Sequence, residues 1–479
     1  MRVSPHIHLI KFHDFFILFD INKNEARLIS KSLFDTLNNI INNNMNIQDY
    51  LMLDVDENNK QEIYELLALG FLKNKRPKNI EHPEQDIYPY YLDRKMRKLI
   101  LQVTQDCNFR CSYCDYSCGN DNFHRKHNNT NMSEETAMKA IAFFKKHSLD
   151  QDRINISFYG GEPLMNYSLI KKCIETVNKE FAGKHISYNL TTNGLLLNGE
   201  KVIYLIDNNV NITVSLDGPR KVHDKNRKLA VNGNGTFDLI IKNLRELYLN
   251  YPEYYSKISY NCVVDPRIWD NSCNEFFSQK MFEKNHIVFS PMHPVSGRNI
   301  YYPTSFLIRQ KKSELSAAVR MITCENLKDL NIESRYWFEQ QTKINSHLGK
   351  QLELPDRCGH SGPCMPGVNR LFVNTNGCLF PCEKANENSF VMNLGDIING
   401  IDIGKAVSML NITKLMPEKC RNCWGILHCD ICACTVDAGD YYSKQINNIM
   451  CKQVLEKLEK NIIRKVIIEK FYEKYHSCQ

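Results

Sequence analysis

Three cysteines lie within eight residues of one another, in the segment Cys107–Cys114 that reads CNFRCSYC. They follow an apolar run, Lys98–Thr104, that is typical of a buried strand. A tetrahedral zinc site needs four ligands, whereas three thiolates in one tight loop suit three corners of an iron–sulfur cube, because such clusters are bound by cysteine thiolates. The fourth iron then has no protein ligand. The loop therefore predicts a cluster with one open coordination position.

This spacing, with an aromatic residue (Tyr113) before the last cysteine, resembles the signature of the radical S-adenosylmethionine (radical SAM) enzymes. The resemblance implies a [4Fe–4S] cluster whose open iron binds S-adenosyl-L-methionine (SAM). Cleavage of SAM then gives a 5′-deoxyadenosyl radical that abstracts hydrogen from a substrate. The cofactor carries that chemistry, while the protein supplies position and seclusion. A zinc site or a loop of reduced thiols is the alternative.

The composition is that of a soluble globular chain with an unusual number of cysteines. Its 479 residues predict about three domains, and the hydrophobic and charged fractions are 43% and 24%. The net charge is +7, and the basic residues are interleaved with acidic ones along the chain, so no nucleic-acid-binding surface is expected. Neither a secretory signal nor a membrane span is apparent. A cytoplasmic location is expected, and there the 19 cysteines indicate metal or cluster ligation rather than disulfides.

Six strand-like runs alternate with helical stretches downstream of residue 97. They cover 98–104, 154–160, 186–192, 211–216, 258–264 and 286–291. One intervening helix, 133–147, has Ser133 as its expected N-cap. Such alternation predicts an α/β fold with a parallel sheet, and the resemblance implies a partial (β/α)6 TIM-type barrel. Active residues are then expected at the carboxyl ends of the strands.

Polar motifs follow three of these strands. Gly160-Gly161-Glu162-Pro163, Thr191–Gly194 and Ser215–Pro219 resemble the GGEP, TNG and SLDGP segments of the family, and His223-Asp224 with Arg227 resembles its HDxxR. Ordinary turn and capping chemistry is the alternative for these residue types. The resemblance implies that the cofactor is bound by Tyr113, Gly160, Gly161, Glu162, Thr192, Asn193, Ser215 and Asp217.

A second cysteine field runs from Cys358 to Cys451 and resembles the SPASM extension, which houses two auxiliary [4Fe–4S] clusters in peptide-modifying radical enzymes. Ala433 stands where the usual spacing has a cysteine, and Cys432 and Cys434 flank it, so the choice between these two stays open, with Cys432 favoured. Zinc is the alternative metal. Carried over by position, the ligands are Cys358, Cys364, Cys382 and Cys432 for the first cluster and Cys420, Cys423, Cys429 and Cys451 for the second. Core or surface thiols are expected at Cys118, Cys173, Cys262, Cys273, Cys324 and Cys478.

The first 92 residues form a separate α+β unit of short strands, with turns expected at His13-Asp14 and 22–24, followed by helical patterns at 33–41 and 61–72. The asparagine-rich stretch 38–46 is expected to be a loop or a frayed helix end. The unit is similar to the winged-helix-like element that binds leader peptides, in which the peptide adds a strand to a sheet edge. A plain packing or dimerisation domain is the alternative. The expected domains are 1–92 (peptide recognition), 93–300 (partial barrel), 301–355 (helical bridge), 356–455 (SPASM extension) and 456–479 (amphipathic C-terminal helix).

Together these resemblances imply a maturase of ribosomally made, cysteine-rich peptides that forms a thioether cross-link. The expected partners are a precursor peptide with its leader and a reductant such as flavodoxin or ferredoxin. Glu383, just after Cys382, is a candidate proton acceptor, with a plain surface carboxylate as the alternative. A sulfatase-type maturase that forms formylglycine and a zinc-binding scaffold protein are the competing hypotheses.

Overall fold

The computed structural model describes residues 3–53, 56–114, 127–292, 300–327, 330–349, 353–360 and 364–477. The strands are β1 Ile7–Phe12, β2 Phe15–Asp20, β3 Glu25–Leu28, β4 Asn79–Ile80, β5 Lys98–Thr104, β6 Arg153–Gly160, β7 His185–Thr192, β8 Asn211–Ser215, β9 Ser259–Val264, β10 His286–Pro291, β11 Arg357–Cys358, β12 Leu371–Val373, β13 Cys378–Phe380, β14 Gly395–Asp396 and β15 Gly400–Ile401.

Helices separate most of these strands. They are α1 Lys31–Asn42, α2 Ile47–Leu51, α3 Glu57–Ala68, α4 Tyr88–Arg94, α5 Glu134–Lys146, α6 Tyr167–Glu180, α7 Gly199–Asp207, α8 Arg220–Asn226, α9 Phe237–Asn250, α10 Pro252–Tyr255, α11 Asn271–Phe277, α12 Thr304–Thr323, α13 Ile332–His347, α14 Ile403–Leu410, α15 Pro417–Arg421 and α16 Lys444–Ser477.

The six predicted barrel strands are confirmed as β5–β10, each within one residue of its predicted bounds. They are neighbours in the order β10-β9-β8-β7-β6-β5, and every pair is parallel. Most of their buried side chains are apolar, because the covered faces of a parallel sheet exclude water. Helix α5 begins at the predicted cap, where the Ser133 hydroxyl accepts the Thr136 N–H. This arrangement brings the carboxyl ends of six strands to one edge.

The same sheet continues into the cysteine-rich part of the chain. Strand β12 pairs in parallel with β5, with Val373 opposite Leu101, and the antiparallel strands β13, β14 and β15 follow. The hairpin expected over 369–384 contains β12 and β13, whereas β14 and β15 were not predicted. These four strands attach the second cysteine field to the strand that leads into the first cysteine loop.

The N-terminal strands form a separate antiparallel sheet in the order β1-β2-β3. The predicted turns contain two residues in the left-handed region, His13 (φ 51°) and Asn24 (φ 53°). Helices α1 and α3 match the two predicted helical patterns, while α2 was missed. The asparagine-rich stretch 38–46, expected to be a loop or a frayed helix end, begins inside α1 and ends at Asn46, which caps α2.

The long helix α16 packs against the N-terminal sheet and against α12 and α13. The apolar stripe expected along this helix comprises Leu455, Leu458, Ile462, Val466 and Phe471. It is buried at Leu458, Ile462 and Val466, but Phe471 is 44% exposed. No helix among the described residues is long and apolar enough to cross a membrane. Cys173, Cys262 and Cys273 are buried thiols and Cys324 is an exposed one, whereas Cys118 and Cys478 lie outside the described residues.

Candidate functional site: a cysteine loop at the barrel mouth

The cysteine loop begins at the carboxyl end of β5, at the barrel mouth. The Asp106 carboxylate accepts the Cys107 N–H at 2.7 Å, and the Phe109 N–H points to the Cys107 sulfur at 3.4 Å. Backbone N–H groups of Arg110 and Ser112 donate to the carbonyls of Lys228 and Asn226, at 2.8 and 2.9 Å. The loop is therefore held by side-chain acceptors at its start and by backbone hydrogen bonds to the end of α8 and the residues after it.

Two glycines at the end of β6 allow the loop to approach the sheet. A Cβ added at Gly160, whose φ is +152°, would lie 2.1 Å from the Thr104 carbonyl oxygen. One added at Gly161 would lie 2.0 Å from the Asp106 oxygen and 3.0 Å from Cys107 Cβ. No larger residue fits there without moving backbone. The glycines therefore fix how closely β6 lies against the cysteine loop.

Glu162 ties three motifs together from inside the protein. Its carboxylate accepts the Thr192 hydroxyl and the Asn193 N–H, both at 2.7 Å, and also the Leu164 N–H at 3.1 Å. Burial raises the pKa of this carboxyl, and the same hydrogen bonds oppose the rise. Asn193 in turn donates to Asn108 Oδ1 at 2.6 Å and lies 3.9 Å from the Cys107 sulfur. The carboxyl ends of β6 and β7 are thus joined to the loop.

Tyr113 joins the loop to β8 and α8. Its hydroxyl donates to Asp217 Oδ2 at 2.5 Å and accepts Nη1–H of Arg227 at 2.7 Å. Burial raises the pKa of Asp217, and Arg227 opposes the rise. Burial acts against the Arg227 charge, but Cys111, Tyr113 and Asp217 compensate, so its pKa is raised. Ser215, the remaining candidate, is half-buried at the end of β8.

The three thiols of the loop are mutual neighbours and fit an iron–sulfur group. Burial raises the pKa of Cys107 to about 12 and that of Cys111 to about 11, although Arg227 favours the Cys111 thiolate. Thiolates in such a place require a cationic partner. In the described residues, no set of three or more His, Cys, Asp or Glu side chains is arranged for a single metal ion. A multi-iron cluster held against the glycine-lined wall suits the donor set better.

The cysteines of the second field lie in two groups that differ from the assignment by position. We define the first thiol group as Cys364, Cys382, Cys432 and Cys434. The second thiol group consists of Cys420, Cys423, Cys429 and Cys451. Cys358 lies beside Cys420, in the same apolar cluster.

Within the first thiol group three sulfurs are in contact. The Cys434 thiol is hydrogen-bonded to Cys382 and to Cys432, which lowers the pKa of both partners and raises that of Cys434. Cys432 also caps the short 3₁₀ turn Ala433–Thr435, where its sulfur accepts the Thr435 N–H. Backbone N–H groups that point at sulfur are a means of stabilising a thiolate.

Two carboxylates lie close to these sites. Glu383, the predicted proton acceptor, pairs with Arg370 at 2.9 Å and is near Cys364. Glu387, which the sequence reading missed, accepts Nε2–H of Gln102 at 2.7 Å and of Gln105 at 3.4 Å. Gln102 is fully buried, and its place as the one amide within the apolar run of β5 was a signal that a polar partner would be there.

Comparison with known proteins identifies the class of this fold and site. Residues 101–268 match the radical SAM superfamily. The chain therefore carries a radical SAM domain and is a radical SAM enzyme, and membership of this class implies a [4Fe–4S] cluster and SAM.

Among individual relatives, an uncharacterized protein of Methanocaldococcus jannaschii (MJ0907) is 34% identical over 26% of this chain and 39% of its own length. The radical SAM cyclopropyl synthase TigE of Paramaledivibacter caminithermalis is 23% identical over 80% of this chain and 79% of its own. A cysteine-type anaerobic sulfatase-maturating enzyme of Clostridium novyi is 24% identical over 79% and 98%. The chain is thus related over most of its length to a radical SAM cyclopropyl synthase and to a sulfatase-maturating enzyme.

A solved structure shares the fold. Native anSMEcpe with bound AdoMet and Cp18Cys peptide has a TM-score of 0.52 and 21% sequence identity, over 77% of this chain and 98% of that one. This likeness supports the partial barrel inferred from β5–β10.

Proposed function

We propose that the protein is a radical SAM maturase that modifies a cysteine-bearing, ribosomally made peptide by forming a thioether bond. One observation carries the proposal. The cysteine loop meets the glycine turn after β6 and Glu162 at the carboxyl ends of parallel strands, next to a sheet that continues directly into a second cysteine-rich region.

In this proposal Cys107, Cys111 and Cys114 hold the catalytic cluster. A cluster held by these thiols, together with SAM, would supply a 5′-deoxyadenosyl radical able to take a hydrogen atom from a carbon of the peptide. Gly160 and Gly161 leave room for backbone contacts to SAM, while Glu162 buttresses Thr192 and Asn193. Tyr113, Ser215 and Asp217 complete the proposed SAM pocket.

Thioether formation also needs an electron acceptor and a proton acceptor. The peptide loses one C–H and one S–H hydrogen and gains a C–S bond, so one hydrogen atom, one electron and one proton must leave it. Metal clusters held by the two thiol groups would supply an acceptor for the electron, and a reductant such as flavodoxin or ferredoxin would supply the electron that cleaves SAM. The proton is assigned to Glu383, which lies beside the first thiol group.

The N-terminal unit is the proposed binding element for the leader of the peptide. In the described chain its sheet ends at β1 on one side and at β3 on the other. Edge strands expose backbone donors and acceptors that an extended peptide can pair with. A leader bound there would be tethered to the same chain as the barrel, which raises the effective concentration of the segment to be modified.

A sulfatase-type maturase that forms formylglycine is the second candidate function. The match to the Clostridium novyi enzyme favours it, because 98% of that protein is covered. The same match leaves about a fifth of this chain unmatched, which favours an additional binding role. A zinc-binding scaffold protein is the candidate of another class. Iron in the purified protein would count against it, and zinc without iron would support it.

The first experiment tests the radical site. Anaerobically purified protein with reductant and SAM is expected to form 5′-deoxyadenosine, and Cys111→Ala is expected to abolish this. Cys324→Ala, at an exposed cysteine outside all three cysteine groups, is the matched control and should retain cleavage. Retained cleavage in Cys111→Ala would refute the assignment of the loop.

The second experiment tests the substrate. The enzyme is co-expressed with short cysteine-bearing peptides encoded beside its gene and, separately, with a sulfatase-type substrate peptide. The masses of all these peptides are then measured by mass spectrometry. A loss of two hydrogens per cross-link, with the cysteine resistant to alkylation, supports the thioether maturase. Conversion of the sulfatase-type cysteine to formylglycine would instead support the second candidate.

A further inference from the structure

Ala433 occupies the position at which the cysteine spacing leads one to expect a ligand, but its methyl side chain has no donor atom for a metal. It is 4% exposed and belongs to the main apolar core. The flanking residues Cys432 and Cys434 are both half-buried, and both contribute to the first thiol group. The chain therefore lacks a cysteine at position 433 but has one on each side of it, Cys432 and Cys434.

Cys434 has the contacts expected of a ligand of this group. Its thiol is within hydrogen-bonding reach of Cys382, 52 residues earlier in the sequence, and of Cys432. The position of this turn is fixed, because the Cys432 N–H and carbonyl both bond the Thr435 hydroxyl, at 3.2 and 2.7 Å. Both thiols are therefore presented to Cys382 by the same rigid turn.

Cys358 is held away from the first thiol group. It forms strand β11, which pairs with β4, and its carbonyl accepts the Glu81 N–H at 3.1 Å. The next residue, Gly359, is so close to that strand that a Cβ would lie 2.6 Å from the Glu81 carbonyl carbon. The Cys358 side chain is 5% exposed and packs with Ile80 and Leu354. Moving Cys358 to the first group would break this pairing.

We propose that the four protein ligands of the first auxiliary metal site are Cys364, Cys382, Cys432 and Cys434, and that Cys358 is a core thiol outside it. The nature of the metal rests on the proposed function, since four thiolates bind either a [4Fe–4S] cluster or a zinc ion. The assignment of these four cysteines as ligands does not depend on which metal is bound.

The test compares single variants of the full-length chain, purified and reconstituted without oxygen. Iron, sulfide and zinc are counted per chain, and Mössbauer spectra are recorded. With four irons per cluster, wild type and Cys358→Ala should both contain about twelve irons, and Cys434→Ala and Cys432→Ala about eight. Circular dichroism shows whether each variant is folded.

Cys434→Ser covers the case in which Cys434→Ala does not fold. A serine oxygen ligand should leave about twelve irons but change the Mössbauer parameters of one cluster. Loss of about four irons in Cys358→Ala, or full iron with an unchanged spectrum in both Cys434 variants, would overturn the ligand assignment.

The metal count separates this inference from the proposed function. If wild type contains zinc at this site instead of iron, the electron-accepting role of the auxiliary site fails. The ligand assignment is then judged by zinc, which should be lost in Cys434→Ala and kept in Cys358→Ala.

Discussion

The imidazole of His8 lies flat on the indole of Trp424, with ring centroids 3.9 Å apart and planes 4° from parallel. His8 is on the first strand of the N-terminal sheet, and Trp424 follows directly after Cys423 of the second thiol group. His428, in the same cysteine segment, bonds the Asn24 side chain at 2.6 Å. The proposed leader-binding unit therefore packs directly on a proposed metal site, and the two should fold together.

Trp424→Ala is expected to loosen the N-terminal sheet. The change removes the stack with His8 and an edge contact with Phe19, and for a half-buried indole the expected cost is about 2–3 kcal/mol. Hydrogen exchange measured by mass spectrometry should become faster in β1–β3. Tyr441→Ala, at a 63% exposed aromatic residue of the same region, is the control and should leave that exchange unchanged. Equal protection in both variants would contradict a docking role for the stack.

Tyr113→Phe is expected to destabilise the barrel mouth. The lost hydroxyl bridges the buried groups of Asp217 and Arg227, and leaving buried partners short of a hydrogen bond costs about 1–3 kcal/mol. Urea unfolding followed by fluorescence measures this cost. Tyr90→Phe removes a similar bond, from a hydroxyl to Asp150 at 2.6 Å, but at an exposed site, so little change is expected. The prediction fails if the two variants unfold alike.

The stability of the N-terminal unit should fall as the pH rises from about 4 to about 6, because of Asp20. Burial raises the pKa of this carboxyl from 3.8 to about 6, although it accepts the N–H groups of Leu72 and Lys23. The folded state binds the proton more tightly than the unfolded state, so the contribution is fully present below the unfolded pKa and lost above the folded one. From the shift, it amounts to about 3 kcal/mol at most.

Asp20→Asn provides the measurement. Urea unfolding of wild type and variant is compared at several pH values between 4 and 7, with hydrogen exchange in residues 7–28 as the local readout. The difference in free energy of unfolding, wild type minus variant, should decrease as the pH rises. A difference that stays constant would show that Asp20 does not titrate in this range.

The local sequence pattern predicted the strands of the barrel but not the short strands that extend its sheet. Strands β5–β10 are runs of five to eight residues rich in apolar and β-branched side chains and separated by helices, so their type and order could be read directly. Strands β4, β11, β14 and β15 have only two residues each, too few for any periodicity. These strands form only because the folded chain places a partner strand beside each of them.

The proximity of the cysteines could be predicted for the cysteine loop but not for the second cysteine field, again because tertiary structure decides the second case. Cys107, Cys111 and Cys114 are close in sequence, so their proximity follows from spacing alone. The first thiol group instead joins Cys382 to Cys434, and this depends on how the intervening chain folds. Spacing could limit the choice to Cys432 and Cys434, but the burial of Ala433 and the pairing of Cys358 are visible only in three dimensions.

Glu383→Gln and Glu387→Gln distinguish two carboxylates as the proton acceptor. Glu383 pairs with Arg370 beside the first thiol group, whereas Glu387 is held by the amides of Gln102 and Gln105. If Glu383 accepts the proton, Glu383→Gln should still form 5′-deoxyadenosine within about threefold of wild type, while formation of cross-linked peptide falls by about 10²–10⁴. Glu387→Gln is the matched control, and its product and 5′-deoxyadenosine should change together. The reverse pattern would assign the role to Glu387, and coupled turnover in both variants would mean that neither carboxylate accepts the proton.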